Sequence, residues 1–489
     1  MRLAGHVNSV SALYGELSVH PCVRHLRRAA SPAFFLGAMA LAGPVRADHT
    51  SVHATASGEM ATTDNLFAAG SNGDREADMF ATLRPGILYA YDAPQMVHDF
   101  NAEAEIVEYV RHGDSKPLIM GRAGWKSLFL PTPRTSVTMT INAATGLLSL
   151  LSARTSSDQT TASIAPTGKV DVEQTDAGQQ MSWISGKHTR VMQGIVGRYA
   201  FTDDGSGSTA DTRELGGSLG FERSFEHDTV GLEAAVSYLH LDKVQPPTSE
   251  VGNREDQQID PRATASWRHD FNRQWAASAD GGVVYVQPIG SNKYNPLAPQ
   301  LGGTYGVAGA QLSYTELWGR ATLSARRDVS PNLYLAQNTL NDAANLQVAL
   351  PLPWLDETKR NPQLAAAVSL GVTHQQMINV QTGSTEGDFK AGHLDASVGW
   401  TPSPGVTYGF RYEFVYQTGD HVAMLDIPSY YRNTVYFTFQ LRYPDRPVGE
   451  LPPQRKGLRA DGKDLVPVGA EPVVIDLLAD PDGDGGGRE

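Results

Sequence analysis

The sequence predicts an all-β protein: a transmembrane, antiparallel, up-and-down β-barrel of about eighteen strands, sixteen being the other count it allows, preceded by a cleaved signal peptide. Three observations predict it. The chain opens with an export signal. Its body alternates apolar and polar residues with a period of two, over runs of about 10–14 residues. The links between runs are short and long by turns.

Composition narrows the class first. Of 489 residues, 40% are apolar and 19% charged, with 48 glycines and 18 tyrosines. That is too polar for a helical membrane protein, whose spans need about 20 consecutive apolar residues. It is too rich in aliphatic and aromatic residues for a disordered chain. A single cysteine excludes a disulfide scaffold and a cysteine-type zinc site. The formal net charge of −13 argues against a nucleic-acid partner.

Residues 1–47 read as the signal peptide. Arg24, Arg27 and Arg28 precede the apolar stretch 29–42, Gly43 and Pro44 break it, and Val45-Arg46-Ala47 sets small residues at the −3 and −1 positions. The apolar stretch is too short to cross a bilayer as a helix. Cleavage after Ala47 leaves 35 basic and 52 acidic residues, a net charge of −17, and no cysteine.

The strands follow in order: 54–62, 78–92, 96–110, 119–130, 134–151, 178–186, 189–202, 213–226, 228–242, 258–270, 273–287, 302–314, 317–328, 342–351, 363–378, 389–401, 405–418 and 431–443. The segment 406–417 shows why. Val406, Tyr408, Phe410, Tyr412, Phe414 and Tyr416 fall on one face, and Thr407, Gly409, Arg411, Glu413, Val415 and Gln417 on the other. A helix would scatter the six large apolar groups around its axis. The last strand repeats the pattern with Val435, Phe437, Phe439, Leu441 and Tyr443. The segments 54–62 and 178–186 carry the faintest alternation; without both, the count falls to sixteen and the short/long order of links is spoiled.

Those links matter because an outer-membrane barrel has short turns on one side and long loops on the other. The short links include 93–95, 131–133, 186–187, 271–273 and 402–404. The long, polar ones are 63–77, 111–118, 152–177, 203–212, 243–257, 288–301, 329–341, 379–388 and 419–430. Phe129, Phe225, Trp267, Trp275 and Trp400 lie near short turns on the apolar set of their strands, where an aromatic girdle belongs. Tyr408, Phe410, Tyr412, Phe437, Phe439 and Tyr443 join them as lipid-facing candidates.

These residues resemble bacterial outer-membrane β-barrel proteins of the porin type. The resemblance covers about 48–443 and rests on the signal peptide, the paired amphipathic strands and the final strand TVYFTFQLRY. It implies lodging in outer-membrane lipid, both mature termini in the periplasm, and a last strand of the kind the outer-membrane assembly machinery reads. The chain departs from the pattern in one respect, since 444–489 follow Tyr443. The tail reads as a flexible linker. Within it Asp480, Asp482 and Asp484 match the first half of a calcium loop, although the acidic residue wanted at position twelve would fall past Glu489. A solvated acidic tail reads the same way.

The polar set supplies the lumen-lining candidates: Glu103, Glu105, Arg122, Lys126, Arg198, Glu233, Arg262, Arg268, Asp280, Arg320, Arg326, Arg411, Glu413 and Arg442, with Glu222, Asp270 and Asp395 beside them. Opposed charges across a lumen could orient small hydrophilic solutes, or could pair and fill it. A barrel this wide leaves an aqueous channel, which favours passive diffusion of such solutes with no cofactor. A long loop such as 152–177 or 243–257, folded inward, would constrict it. Two other classes stay open. A hydrolase would need a nucleophile, base and orienter; His393/Asp395, the adjacent pairs His227-Asp228 and His269-Asp270 (whose side chains diverge in a strand), and His421 beside Asp420 come with no serine or second carboxylate motif. An envelope anchor or surface adhesin would use the long acidic loops.

Overall fold

The computed structural model describes residues 49–66, 75–111, 117–148, 170–203, 205, 207–248, 252–297, 300–316, 319–332, 336–351, 364–380, 382–403, 405–419 and 429–443. The expected signal peptide, the tail with Asp480, Asp482 and Asp484, and the pair Asp420/His421 lie outside the described residues.

Eighteen strands follow one another: β1 (His49–Thr63), β2 (Asp78–Ala93), β3 (Met96–Tyr109), β4 (Leu118–Thr132), β5 (Thr135–Leu148), β6 (Val170–Ile184), β7 (Thr189–Asp203), β8 (Thr209–Ser224), β9 (Asp228–Val244), β10 (Arg254–Asp270), β11 (Trp275–Pro288), β12 (Gly303–Glu316), β13 (Gly319–Asn332), β14 (Gln337–Pro351), β15 (Leu364–Asn379), β16 (Ser384–Ser403), β17 (Val406–Gly419) and β18 (Tyr430–Tyr443). Each pairs antiparallel with its neighbours in sequence. The first and last then pair with each other, from Ala54↔Tyr443 to Thr63↔Thr434. The sheet closes and has no free edge, so its backbone groups find partners without water. The two faintest segments are strands, and longer than expected: β1 begins at His49 and β6 at Val170.

Alternation sorts the side chains. In β9, Leu232 is 66% exposed on the outer surface while Leu239, seven residues on and of opposite parity, is 1% exposed on the inner one. Leu215, Leu219, Phe410 and Phe437 share the outer, exposed set. No helix among the described residues is long and apolar enough to cross a membrane. A closed sheet with an apolar outer belt crosses with its strands instead, and the molecule is an outer-membrane β-barrel.

Several links expected to be long are largely strand. β13 and β14 run to Asn332 and from Gln337, and β15 and β16 meet around 380–383; β9 and β10 take up only the ends of theirs, to Val244 and from Arg254. The reason is physical: beyond the hydrocarbon the ladder continues, but its residues are polar and read as loop.

One hairpin leaves the wall. The ladder between β12 and β13 stops at Ala308↔Arg327, yet β13 and β14 stay paired up to Asn332↔Gln337. Behind this hairpin the neighbouring links meet directly: the N–H groups of Leu301 and Gly302 donate to the Val380 carbonyl at 3.0 and 3.1 Å, and Tyr305 Oη donates to the Gly383 carbonyl at 3.3 Å. Val329 and Leu340 of the hairpin are buried in one cluster with Val284, Val286, Tyr305 and Val307. At its tip Ala336 is buried with Ala210, Leu239 and Leu241 of β8 and β9. Strands β8 to β10 lie three to five places away around the wall, so the hairpin reaches them by lying along the inside of the barrel over β11 and β12.

Gly383 sits where this closure is tightest. Its φ is +68°, in the region that favours glycine, and a Cβ there would collide with the Gly302 carbonyl oxygen. Gly383→Val is expected to part the two links, raising amide exchange at 300–305 and 380–384 by at least tenfold while exchange in β2–β5 is unchanged. Hydrogen exchange with mass spectrometry checks this.

Candidate functional site

The candidate site is the inner wall together with the hairpin crossing it. Register carries the polar set from strand to strand on one face: Glu103↔Arg122, Arg198↔Glu214, Asp280↔Gly309↔Arg326 and Asp395↔Glu413. By register, Lys126, Glu233, Arg268, Arg320 and Arg442 fall on the same face in β4, β9, β10, β13 and β18.

Most of these charges are paired along the wall. Arg84 donates to Glu59 and to Glu105, both at 2.7 Å. Arg122 adds contacts to Glu105 at 3.3 Å and Glu103 at 3.8 Å. Arg198 bridges Asp176 (2.9 Å) and Glu214 (3.2 Å). Arg411 holds Asp395 at 2.5 Å and Glu413 at 2.8 Å, and its guanidinium lies 4.8 Å from the centre of the Tyr436 ring. Arg432 reaches the far oxygen of Glu413 at 3.4 Å. Arg190 pairs with Glu222, Arg268 with Asp270, and Arg326 with Asp328. Each arginine sits between carboxylates on neighbouring strands or at i±2, where the sheet brings same-face side chains together. Glu59, Arg84, Asp176, Glu214 and Arg432 had no place among the sequence candidates, being single charges in otherwise mixed segments.

The hairpin is fastened to β10 by polar contacts. Asn338 Nδ2 lies 2.8 Å from Gln258 Oε1 and 3.1 Å from Asp260 Oδ2. Arg262 donates to Asp328 at 2.5 Å and to the Val329 carbonyl at 3.1 Å. Gln258, Asp260 and Asn338 are all buried. On the opposite side residues 64–66 turn inward: Asn65 Nδ2 donates to the Tyr431 carbonyl at 3.1 Å, and Leu66 packs with Phe80, Val107, Tyr109 and Leu118. Among the described residues the inward element is the β13–β14 hairpin; of the two links expected to fold inward, 170–177, 243–244 and 254–257 are strand, and 152–169 lie outside the described residues.

A signal for this existed. Val283-Val284-Tyr285-Val286 is a continuous apolar run, which means burial on both faces. Leu239 and Leu241 likewise put leucine on the polar set of β9. An apolar inner face in a barrel wall must be covered by something.

Phe129, Phe225, Trp267, Trp275, Trp400 and Tyr443 lie on the outer face toward the short-turn end, all exposed. Tyr408, Phe410, Phe437 and Phe439 are exposed too, while Tyr412 is half-buried and donates to Asn433 Oδ1 at 2.7 Å. Among the histidines weighed for hydrolysis, His269 meets not its neighbour but Asp228, across the β9–β10 register, at 2.9 Å; Trp267 Nε1 donates to the same oxygen. That group faces outward, stacked with Trp267 and against Phe271. Asp395, the partner sought for His393, accepts from Arg411. Among the described residues, no group of three or more His, Cys, Asp or Glu side chains is placed to hold a metal.

No family model and no curated protein matches the chain. Among solved structures it is similar to the Pseudomonas aeruginosa protein OccK2 (OpdF) in complex with glucuronate, at 11% identity and a TM-score of 0.42, covering 81% of this chain and 99% of that one. It is similar to OccK9 (OpdG) of the same organism at 13% identity and a TM-score of 0.42, with the same coverage. It is also similar to the alcaligin outer-membrane receptor FauA of Bordetella pertussis, at 10% identity and a TM-score of 0.39, covering 80% of this chain and 76% of that one.

Proposed function

We propose that this barrel is a passive diffusion channel for small hydrophilic solutes, narrowed by the β13–β14 hairpin. The observation that carries the reading is the hairpin itself, which folds inside a closed eighteen-strand sheet, lies over the inner face of β11 and β12 and fastens to β10, three strands along. A lumen meant only as a filled core would not need an arm folded out of its own wall. The charged inner face supports water beside it, because unpaired sides of these ion pairs cannot be left in a dry interior. The residues counted as lumen-lining would then meet solute, and Arg84, Glu59, Arg198 and Glu214 join them. The short turns and both mature termini would face the periplasm, and the apolar outer set would meet lipid.

Purified protein in planar bilayers is expected to show stable single-channel steps. Arg320→Glu reverses an inner-wall charge without breaking any ion pair described above. It is expected to move the reversal potential in a salt gradient toward cations, by about a twofold change in permeability ratio. Silence of the purified, folded barrel at every voltage would end the channel reading.

A further inference from the structure

We propose that the outer face of β8, β9 and β10 carries, at its short-turn end, a site for one phospholipid headgroup of the ethanolamine class, in which Arg223 takes the phosphate and Asp228 the primary ammonium. The inference concerns the lipid-facing surface and does not depend on the channel reading.

Arg223 stands on the exposed set of β8 with Leu215, Leu219 and Phe221, so it points away from the lumen into the belt that meets lipid. Its cross-strand neighbour is the exposed Val230, and Val230 is opposite Trp267 of β10. The guanidinium lies 5.6 Å from the centre of the Phe225 ring, and no carboxylate pairs with it among the described residues. Two other outward arginines differ. Arg213 holds Asp211 at 2.6 Å, and Arg327 holds Asp342 at 3.1 Å. A lone arginine on a lipid-facing strand is tolerated close to the interface, where its long side chain reaches the headgroups. There its planar fork of N–H donors matches a phosphate.

Asp228 is the complement. It sits two residues before Val230, on the same face and diagonal to Arg223, a spacing of about 7–8 Å in an antiparallel pair. It is held away from the arginine. Trp267 Nε1 and His269 Nδ1 both lie 2.9 Å from its Oδ1. Its Oδ2 has no donor among the described residues, and the side chain is 42% exposed. The rings of Phe225, Trp267 and Phe271, all exposed, therefore frame a donor without an acceptor and an acceptor without a donor. Phosphoethanolamine carries the two matching charges joined through two carbons. A phosphatidylglycerol headgroup would set its single negative charge beside Asp228 with no ammonium between them, and choline has no N–H to give. Exposed Leu219, Phe221, Val230 and Leu232 continue the surface along which the acyl chains would lie.

Native mass spectrometry of the full chain, released from micelles doped equally with phosphatidylethanolamine, phosphatidylglycerol and phosphatidylcholine, tests the proposal. Wild type is expected to retain one phosphatidylethanolamine, favoured by about fivefold over each of the others, the weight of one arginine–headgroup contact. Arg223→Gln removes no hydrogen bond of the chain, so the barrel should fold and the retained lipid should be lost; Arg223→Lys should keep most of it. Asp228→Asn should still hold phosphate but no longer discriminate against phosphatidylglycerol. Equal retention of the three lipids by wild type, undiminished retention in Arg223→Gln, or full preference in Asp228→Asn overturns the site. Glycerophosphoethanolamine, which lacks acyl chains, should not displace the lipid at equal concentration; displacement would assign the site to a soluble ligand and overturn the lipid. Because retention is read without conductance, a barrel that fails to conduct and a site that fails to bind are separate results.

Discussion

Replacing residues 328–341 by an Asn-Gly turn is expected to raise single-channel conductance severalfold. The cut keeps Arg327↔Asp342 as the last rung of the β13–β14 ladder, and a two-residue Asn-Gly loop closes such a hairpin without straining it. What goes is the whole arm: Val329 and Leu340, which cover the inner face of β11 and β12; Asp328, which holds Arg262; and Asn338, which rests on Gln258 and Asp260. The wall itself should survive, because the links behind the hairpin already bond to each other through Leu301, Gly302 and Val380. A gentler variant reaches the same end. Ala336 carries a φ of +45° at the tip and is 2% exposed beside Leu239 and Leu241. Ala336→Arg would put a charge into that apolar contact, a site with no partner for it, and so should drive the tip off the wall. Its conductance is expected to fall between wild type and the deletion, with more open-channel noise. Equal conductance in all three proteins would mean the arm does not limit flow, and the channel reading would lose its constriction.

The second large effect is on stability. Arg84→Met is expected to destabilise the barrel by about 3–5 kcal/mol, the cost of stripping the partner from buried charge. The guanidinium bonds to Glu59 and Glu105 at 2.7 Å each, and the Glu105 side chain is 1% exposed. Methionine fills much of the same volume, so the loss is electrostatic and not a cavity. Arg122, at 3.3 Å from Glu105, can keep hold of that carboxylate, whereas Glu59 is left alone. The double variant Arg84→Met/Glu59→Gln should therefore regain a substantial part of the loss. Urea titration followed by tryptophan fluorescence in lipid vesicles reads both numbers. A loss under about 1 kcal/mol for the single variant would place this pair among ordinary exposed salt bridges and mean that water reaches Glu105 freely.

Much of the molecule could be read from residue order alone. Period-two alternation in β17 and β18 is local, because successive side chains on a strand point to opposite faces whatever the strand pairs with. Counting such runs gives eighteen, and the chemistry of each face follows residue by residue, from Phe410 and Phe437 on one side to Arg411 and Glu413 on the other. Strand ends were harder. β6 starts at Val170 and β14 at Gln337 among residues as polar as any loop, since outside hydrocarbon a strand need not be greasy.

What residue order could not decide is which partners meet across the inside. Asn338 and Gln258 are 80 positions apart, and Asp64 and Asn433, which bond at the β1–β18 closure, are 369 apart. Nothing in a short window reports contacts between strands that are not neighbours, so the arm and its anchorage on β10 belong to the closed sheet. The amino-acid sequence alone determined that one face would be apolar and the other charged, because that is a property of each strand. Only the tertiary structure decided that a piece of the wall would fold inward to cover Val284, Val286, Leu239 and Leu241, because burying an apolar inner surface takes a second layer, and the layer comes from elsewhere in the chain.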